Sequence, residues 1–266
     1  MIEGDRATSC LRECCTERFD CYAQSNSFEC ATGRDRAIIG TSCRTVGAVV
    51  MKIQAQSRLD ECPFCSACTE ADDALPWYDE PLFREPGGAV AIAAVGALVP
   101  GYLLAAPRCH VPSLRRLPRA DAALFLQFID DVRNRIEARF GPTTLFEHGS
   151  CVHESRRRSA CLVHSHIHLV PGHYSLAGLG LVVDEYSTLT EAVDRSPGDA
   201  VDGYLLYQEP GGAVCLASDP GVSQFFRRHI AQVLGQPDEW DYAMFPRWEN
   251  VRRTHEWIRC EQHGAA

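Results

Sequence analysis

Alternating and periodic apolar positions divide the chain after residue 88 into short strands and amphipathic helices. The apolar run at residues 89–95 predicts a strand, and Val99-Pro-Gly101 predicts a turn into a second strand at residues 102–106, which gives a hairpin. Between residues 120 and 140, apolar side chains recur at helical spacing with charged residues between them. Gly141-Pro142 ends this predicted helix.

The remaining pattern predicts more strands and two further helices. Residues 175–200 are acidic and loop-like. The other predicted elements are strands at 143–147, 162–171, 203–209 and 213–217, and helices at 222–234 and 249–259. The last two strands are predicted to form a hairpin around Pro210-Gly-Gly212. Together they predict an α+β fold, in which an amphipathic helix packs on an antiparallel sheet and a C-terminal extension follows.

Composition and charge narrow the class of protein. The chain has 266 residues, of which 45% are hydrophobic, enough for a sizeable core. No apolar run is long enough to span a bilayer, and the first residues lack the pattern of a signal peptide, so we expect a cytoplasmic protein without a membrane partner. The net charge of −9 argues against binding to duplex nucleic acid, but leaves room for a small anionic ligand held by local groups.

The first fifty residues differ from the rest of the chain. Six of the fourteen cysteines lie there, and no helical or strand periodicity accompanies them. A more ordinary segment begins at Met51. We expect residues 1–50 to be a disordered leader or translated upstream sequence, with a biological start at Met51. The alternative is a small cysteine-rich metal or redox module.

Three histidines at alternate positions are the most informative feature of the chain. In a strand, His164, His166 and His168 emerge from one face, because successive side chains point to opposite faces. A buried imidazole needs its own hydrogen-bond partner, so packing alone explains three of them poorly. The pattern predicts a common ligand for the three rings. A metal site on a single strand stays open as the alternative.

This segment resembles the signature of the histidine-triad (HIT-like) superfamily of nucleotidyl hydrolases and transferases. Three upstream pieces agree with the family in order and distance: Cys62-Pro-Phe-Cys65 is similar to the opening of many bacterial members, Pro100–His110 to their Pro-Gly-His-x-Leu-x-x-Pro-Lys-x-His segment, and Phe146-Glu-His-Gly149 to the strand and glycine before the triad. The resemblance covers about residues 60–175 and implies a HIT-like fold.

The resemblance also implies chemical roles. The middle histidine, His166, attacks the α-phosphorus of a nucleotide and forms a nucleotidyl-histidine intermediate, and His168 binds the phosphate and helps the leaving group depart. Family members with a Cys-x-x-Cys opening hold zinc, and four protein ligands make such a metal structural. The implied zinc ligands are Cys62, Cys65, His110 and His164. Cys68 repeats the two-residue spacing after Cys65 and stays open as a competing ligand.

The chain departs from the family at its phosphate and ribose contacts. Glu147 falls near the usual asparagine, Ser159-Ala-Cys161 replaces Gly-Gln-Ser, and Ala94 lies about where a ribose-binding acidic residue is usual. A carboxylate facing a phosphate is unfavourable unless it is protonated or paired. These changes argue against simple adenosine phosphoramidate hydrolysis.

Further substrate contacts are expected from three segments. Residues 147–150 supply Glu147, Gly149 and Ser150. Arg156-Arg-Arg158 is expected either to contact a polyphosphate or to lie in a solvated loop. The segment from Ser223 to Trp240 looks similar to the C-terminal extension of the CwfJ-like branch. That resemblance implies that Gln224, Arg227 or Arg228 reaches the nucleotide, and of the two arginines Arg228 is taken as the contact.

We therefore expect a leader at residues 1–50, a HIT-like catalytic domain at 51–175 and an extension at 176–266 that packs on it. The expected function is a nucleotidyl hydrolase or transferase for a small nucleotide or nucleotide conjugate. Two other classes stay open: a non-catalytic nucleotide-binding or zinc-stabilised module, and a HIT-like scaffold redirected to another reaction in specialised metabolism. A homodimer stays open as the oligomeric state.

Overall fold

The computed structural model describes residues 62–69, 75–149, 164–176, 178–194 and 203–264. The predicted leader at residues 1–50 therefore lies outside the described residues. Within them, the strands are β1 (Phe83–Arg84), β2 (Val90–Ala93), β3 (Leu103–Ala106), β4 (Thr143–Gly149), β5 (Ile167–Pro171), β6 (Val183–Tyr186), β7 (Tyr204–Gln208) and β8 (Val214–Ser218). The helices are α1 (Pro63–Cys68), α2 (Arg119–Phe140), α3 (Leu189–Asp194), α4 (Phe225–Val233) and α5 (Trp248–Gly264), with a short 3₁₀ helix at Leu114–Arg116.

The eight strands form one antiparallel sheet in the order β1-β2-β3-β5-β4-β7-β8-β6. The predicted hairpins are present, because β2 pairs with β3 and β7 pairs with β8. β5 lies between β3 and β4, and β4 also pairs with β7. The mixed α+β class is thus confirmed. Strands β6, β7 and β8, which belong to the predicted C-terminal extension, continue the same sheet.

Helix α2 covers one face of this sheet, where it lies against β4 and β5. Its apolar side chains recur every three to four residues, so one stripe is buried while the opposite side stays charged. The buried stripe is Ala122, Phe125, Leu126, Phe128, Ile129, Val132 and Ile136. Gly141 ends the helix with φ of 86°, a conformation that favours glycine.

Helices α4 and α5 pack around the connection between β2 and β3, and α1 packs on β2. The Gly101 N–H donates a hydrogen bond of 2.8 Å to Thr254 Oγ1 of α5, and Asn250 Nδ2 of the same helix donates one of 2.8 Å to Ala97 O. Phe64 of α1 is fully buried in a cluster with Val90 and Ile92 of β2. No helix in the described ranges is long and apolar enough to cross a membrane.

Two segments differ from the sequence-based expectation. Strand β5 begins at Ile167 instead of residue 162, so His164 and His166 precede the strand. The segment at 175–200, predicted as a loop, contains β6 and α3. β6 lies at the sheet edge, and its acidic residues Asp184 and Glu185 are exposed. A short charged edge strand has no apolar alternation, so the sequence pattern missed it.

Candidate active site and metal centre

A compact group of two cysteines and two histidines lies where α1 meets the segment before β5. Pro63 begins α1, so Cys62 and Cys65 lie about one helical turn apart at its start. His110 comes from the segment after β3, and His164 from the bend before β5. One side-chain ligand atom from each residue lies within 4.8 Å of the other three. All four residues predicted as metal ligands are therefore brought together.

The distances within this cluster fit a tetrahedral zinc site. Cys62 Sγ and Cys65 Sγ each lie 3.5 Å from His164 Nδ1, and Cys65 Sγ lies 3.1 Å from His110 Nδ1. A tetrahedron with Zn–S of about 2.3 Å and Zn–N of about 2.0–2.1 Å has S···N edges of about 3.5 Å. The donor set is therefore compatible with zinc.

Hydrogen bonds prepare two of these ligands for a cation. His164 Nε2 donates to Pro107 O at 2.8 Å, which leaves the Nδ1 lone pair facing the cluster. The hydrogen bond with Cys65 is the largest of the effects that hold the pKa of the Cys62 thiol far below its usual range. A deprotonated thiol and a neutral imidazole are the forms that bind metal ions.

Cys68 does not join the cluster. Its thiol lies in the apolar core with Phe64 and Ala67 and donates a weak hydrogen bond of 3.7 Å to Pro107 O. Burial raises the pKa of this thiol to about 12, so it stays protonated. The spacing had left Cys68 open as a competing ligand. In the structure, the cluster of potential metal ligands contains Cys62 and Cys65 but not Cys68.

The three triad histidines divide between two sites, instead of facing one common ligand. His164 belongs to the cluster with the cysteines, whereas His166 and His168 line a cavity together with Phe64. Phe64 contacts both groups, with ring centroids 5.4 Å from His164 and 5.1 Å from His166. The late start of β5, at Ile167, explains the difference, because strict alternation of side chains applies only within a strand.

His166 has one ring nitrogen held by the backbone. Its Nδ1 lies 2.8 Å from His164 O, so Nδ1 carries the proton and Nε2 keeps its lone pair. Burial lowers the pKa of this imidazole to about 4. A neutral ring with a free Nε2 lone pair is a nucleophile or a general base.

His168 sits beside His166, with the two ring centroids 4.8 Å apart. Its ring stacks on Phe146 at 4.2 Å and lies 2.6 Å, at Nδ1, from the hydroxyl of Tyr102. Burial also lowers the pKa of His168 well below its ordinary value, with the charge of Arg227 contributing. Both imidazoles are thus neutral near pH 7, and packing and hydrogen bonds hold each of them in one orientation.

The two histidines open into a cavity of about 310 Å³. Most of its lining is apolar or aromatic, and the polar side chains that face it are few. Besides the two histidines, its lining residues are Pro63, Phe64, Tyr78, Asp79, Ile92, Ala93, Ala94, Val95, Leu104, Phe146, His148, Gln224, Phe225, Phe226, Arg227 and Tyr242. A concave, mostly apolar cavity with a few polar groups is typical of small-molecule sites.

Glu147 does not line this cavity, contrary to its predicted role as a substrate contact. Its neighbours Phe146 and His148 face the cavity, so the carboxyl of Glu147 points to the opposite face of β4. There it accepts hydrogen bonds from Leu114 N–H at 2.8 Å, from the Ser165 hydroxyl at 2.7 Å and from the Tyr204 hydroxyl. Burial raises the pKa of this carboxyl.

The other predicted substrate contacts differ in whether they line the cavity. Gly149 also lies away from the cavity lining, and a Cβ there would collide with the Tyr204 ring, so the glycine has a packing reason. Gln224 lines the cavity, as does Arg227, whereas Arg228 does not. Its guanidinium carbon lies 3.3 Å from the ring centroid of Trp240, because consecutive helical residues point about 100° apart. Ser150 and Arg156-Arg-Arg158 lie outside the described residues.

Several cavity residues were not selected from the sequence. Tyr78 and Asp79 come from the turn before β1, and Tyr242 from the segment between α4 and α5. Burial raises the pKa of Asp79. His148 pairs with Asp219 Oδ1 at 3.1 Å. The sequence offered one indication that His148 faces the cavity. It lies two residues after Phe146 on a buried strand, so alternation places both side chains on the same face.

Comparisons with known proteins do not assign a family. No family model matches this chain, and no curated protein sequence matches it either.

Proposed function

We propose that the chain is a HIT-like nucleotidyl hydrolase or transferase, in which His166 attacks the α-phosphorus of a nucleotide conjugate. The observation that carries this proposal is the fixed, neutral ring of His166, whose Nε2 lone pair is free beside His168 in a mostly apolar cavity. The antiparallel sheet with a covering helix, and the motifs named from the sequence, support the HIT-like fold.

The reaction follows from these two side chains. His166 Nε2 forms a bond to phosphorus while the bond from phosphorus to the leaving group breaks, and water or another acceptor then cleaves the nitrogen–phosphorus bond. The proton stays on His166 Nδ1, which keeps donating to the His164 carbonyl oxygen, and this hydrogen bond stabilises the positive charge that develops on the ring. His168 faces the same space and contacts the phosphoryl oxygens or the leaving group.

The cavity suits one nucleotide unit and its leaving group. Its volume of about 310 Å³ lies at the lower end of the range for small-molecule sites, about 300–1,000 Å³. Phe64, Phe225 and Tyr242 offer aromatic surfaces against which a base or another flat group can pack. The substrate class is a nucleoside 5′-phosphoryl group joined to a leaving group, such as a dinucleoside polyphosphate or a nucleotide sugar.

We also propose that the four-residue cluster holds structural zinc, which would tie α1 to the triad segment. His164 links the cluster to the cavity, because its side chain belongs to the cluster while its backbone carbonyl holds the His166 ring. His110 adds a ligand from the segment after β3. Loss of the metal would therefore release the carbonyl that orients the nucleophile.

A second candidate, a non-catalytic nucleotide-binding module, is favoured by the mostly apolar lining and by the position of Glu147 and Gly149 away from it. Turnover separates the two candidates. A panel of dinucleoside polyphosphates, nucleotide sugars and nucleoside phosphoramidates is incubated with the zinc-loaded protein, and with His166→Asn and His173→Asn. His173 is an exposed histidine that pairs with Glu209, outside the cavity, and serves as the matched control.

The catalytic proposal expects turnover of at least one compound, a loss of several orders of magnitude in His166→Asn, and an unchanged rate in His173→Asn. Nucleotide affinity should survive within about an order of magnitude in His166→Asn, because the amide keeps a polar group of similar reach. Binding without turnover across the panel would favour the module instead. Near-normal turnover by His166→Asn would point to a redirected scaffold.

A further inference from the structure

A buried arginine borders the cavity on the side of His168. Arg227, in the first turn of α4, is only 5% exposed. A guanidinium stays charged in proteins, and a buried charge is costly unless it is paired. No carboxylate in the described part of the chain forms an ion pair with Arg227, whose Nε and Nη2 donate to an amide and to backbone carbonyls.

These hydrogen bonds aim the guanidinium without neutralising it. Nη2 donates to Gly96 O at 2.7 Å, and Nε donates to Trp240 O at 3.0 Å and to Gln224 Oε1 at 3.1 Å. Nη1 has no acceptor among the described residues. The guanidinium carbon lies 5.7 Å from the centroid of the Tyr102 ring, whose hydroxyl contacts His168. The positive charge therefore lies near His168, and no carboxylate among the described residues neutralises it.

Tyr102 decides which ring nitrogen of His168 faces the cavity. Its hydroxyl lies 2.6 Å from Nδ1, and as a donor it leaves Nε2–H as the free group of a neutral ring. His166 has the opposite arrangement, with Nδ1–H bound to the backbone and the Nε2 lone pair free. With Tyr102 as the donor to His168, the adjacent rings offer one acceptor and one donor.

The other groups that line the cavity near Arg227 and His168 are also compatible with an anionic ligand. The first turn of α4 lines the cavity, and its N–H groups precede the first helical hydrogen bond, from Arg228 N to Gln224 O. Asp79 also lines the cavity, from the turn before β1. Its pKa is raised by burial, which weakens its opposition to an anion.

We propose that Arg227 and the Nε2–H of His168, fixed by Tyr102, form an oxyanion subsite that takes a phosphate group of the substrate. Arg227 supplies the charge, His168 supplies a directed donor, and Tyr102 acts as a positioning residue. This inference deepens the proposed function and rests on it only in taking the anion to be a nucleotide's phosphate.

Two measurements on the full, zinc-loaded, ¹⁵N-labelled chain test the subsite with inorganic phosphate as the probe. Imidazole ¹⁵N shifts report the protonated nitrogen of His168, and their movement during titration reports binding. The wild type should show an Nε2–H ring at His168 and saturable shifts with phosphate. Arg227→Met should weaken phosphate binding by about tenfold or more, as expected for a lost charged hydrogen bond.

Neighbouring arginines provide the matched control. Arg228→Met should bind phosphate within about twofold of the wild type, because its side chain lies over Trp240 outside the cavity. Tyr102→Phe should leave the fold intact, mix the two neutral forms of His168 and weaken phosphate binding severalfold. If Arg227→Met fails to fold, Arg227→Lys and Tyr102→Phe carry the test, and both should bind more weakly than the wild type.

The inference is overturned by an Nδ1–H ring at His168 in the wild type, by absence of phosphate binding, or by variants at Arg227 and Tyr102 that bind as the wild type does. These readouts need no turnover. Phosphate binding that depends on Arg227 in a protein without turnover would leave the subsite standing and remove only the catalytic proposal. Turnover through His166, with phosphate binding that does not depend on Arg227, would remove the subsite and leave the catalytic proposal standing.

Discussion

Replacing Glu147 by alanine tests whether this carboxyl is a structural group or a substrate contact. In the folded protein it accepts hydrogen bonds from Leu114 N–H and the Ser165 hydroxyl at Oε1, and from the Tyr204 hydroxyl at Oε2. The side chain is 1% exposed, so water does not replace these acceptors. Alanine leaves three buried donors without their partner.

The size of the effect follows from these three donors. Each buried donor without a partner costs about 1–3 kcal/mol, which sets an upper limit of about 9 kcal/mol. The two hydroxyls can rotate toward other acceptors, whereas the backbone N–H of Leu114 cannot. We therefore expect Glu147→Ala to lower the free energy of unfolding by about 3–5 kcal/mol. At about 2–4 °C per kcal/mol for a domain of this size, Tm falls by roughly 10 °C.

Glu147→Gln is the matched control, because the amide oxygen can replace Oε1 for Leu114 and Ser165 while the amide nitrogen donates to Tyr204. Its cost should stay near 1 kcal/mol. The raised pKa of Glu147 also gives a pH dependence. The folded protein keeps this proton where the unfolded chain has lost it, so wild-type stability falls as pH rises from the ordinary carboxyl pKa toward the raised value. The glutamine variant lacks this slope.

Urea unfolding of the zinc-loaded proteins across this pH range measures both effects as shifts of the midpoint at constant m value. Nucleotide affinity should be the same in the wild type and in Glu147→Gln, because the carboxyl lies on the face of β4 opposite the cavity. A tenfold change of affinity in Glu147→Gln with unchanged stability would refute this reasoning and restore Glu147 as a substrate contact.

Three further predictions have defined outcomes. Elemental analysis should find about one zinc per chain in the wild type and in Cys68→Ala, but much less in Cys62→Ser, which also unfolds at lower temperature; a folded, metal-free wild type contradicts the zinc site. Gly149→Ala should lower stability by about 1–3 kcal/mol in urea unfolding, because its Cβ meets the Tyr204 ring. His168→Asn should lower kcat less than His166→Asn does, and the double variant should lose little more than His166→Asn alone.

Much of the fold was accessible from local sequence pattern. Helix α2 was predicted to within one residue of Arg119–Phe140, because its apolar stripe is long and Gly141-Pro142 marks its end. The hairpins were predicted from apolar runs joined by glycine and proline turns. The short elements α1, β1, β6 and α3 were missed, since two to six residues carry too little periodicity to be recognised.

The candidate site was predictable where it depends on spacing, and not where it depends on packing. The four cluster ligands were implied by the resemblance of the surrounding motifs to the HIT-like family. The split of the triad does not, because it depends on where β5 begins. The buried role of Glu147 depends on Tyr204 and Ser165, distant in sequence or on another element. Arg227 and Arg228 are adjacent residues of the same type, so the sequence does not show which of them faces the cavity. The packing of α4 determines that Arg227 does.

Detection of a covalent intermediate on His166 would distinguish the nucleotidyl-histidine mechanism from every other role of this cavity. The zinc-loaded protein is mixed with each compound of the nucleotide panel and quenched in base within the first turnovers, since a phosphorus–nitrogen bond to histidine is lost in acid. Intact-mass and peptide spectrometry then locate any adduct. We expect an added nucleoside monophosphate on His166, present in His173→Asn and absent in His166→Asn. Turnover without an adduct on His166, or with an adduct on another residue, would contradict it.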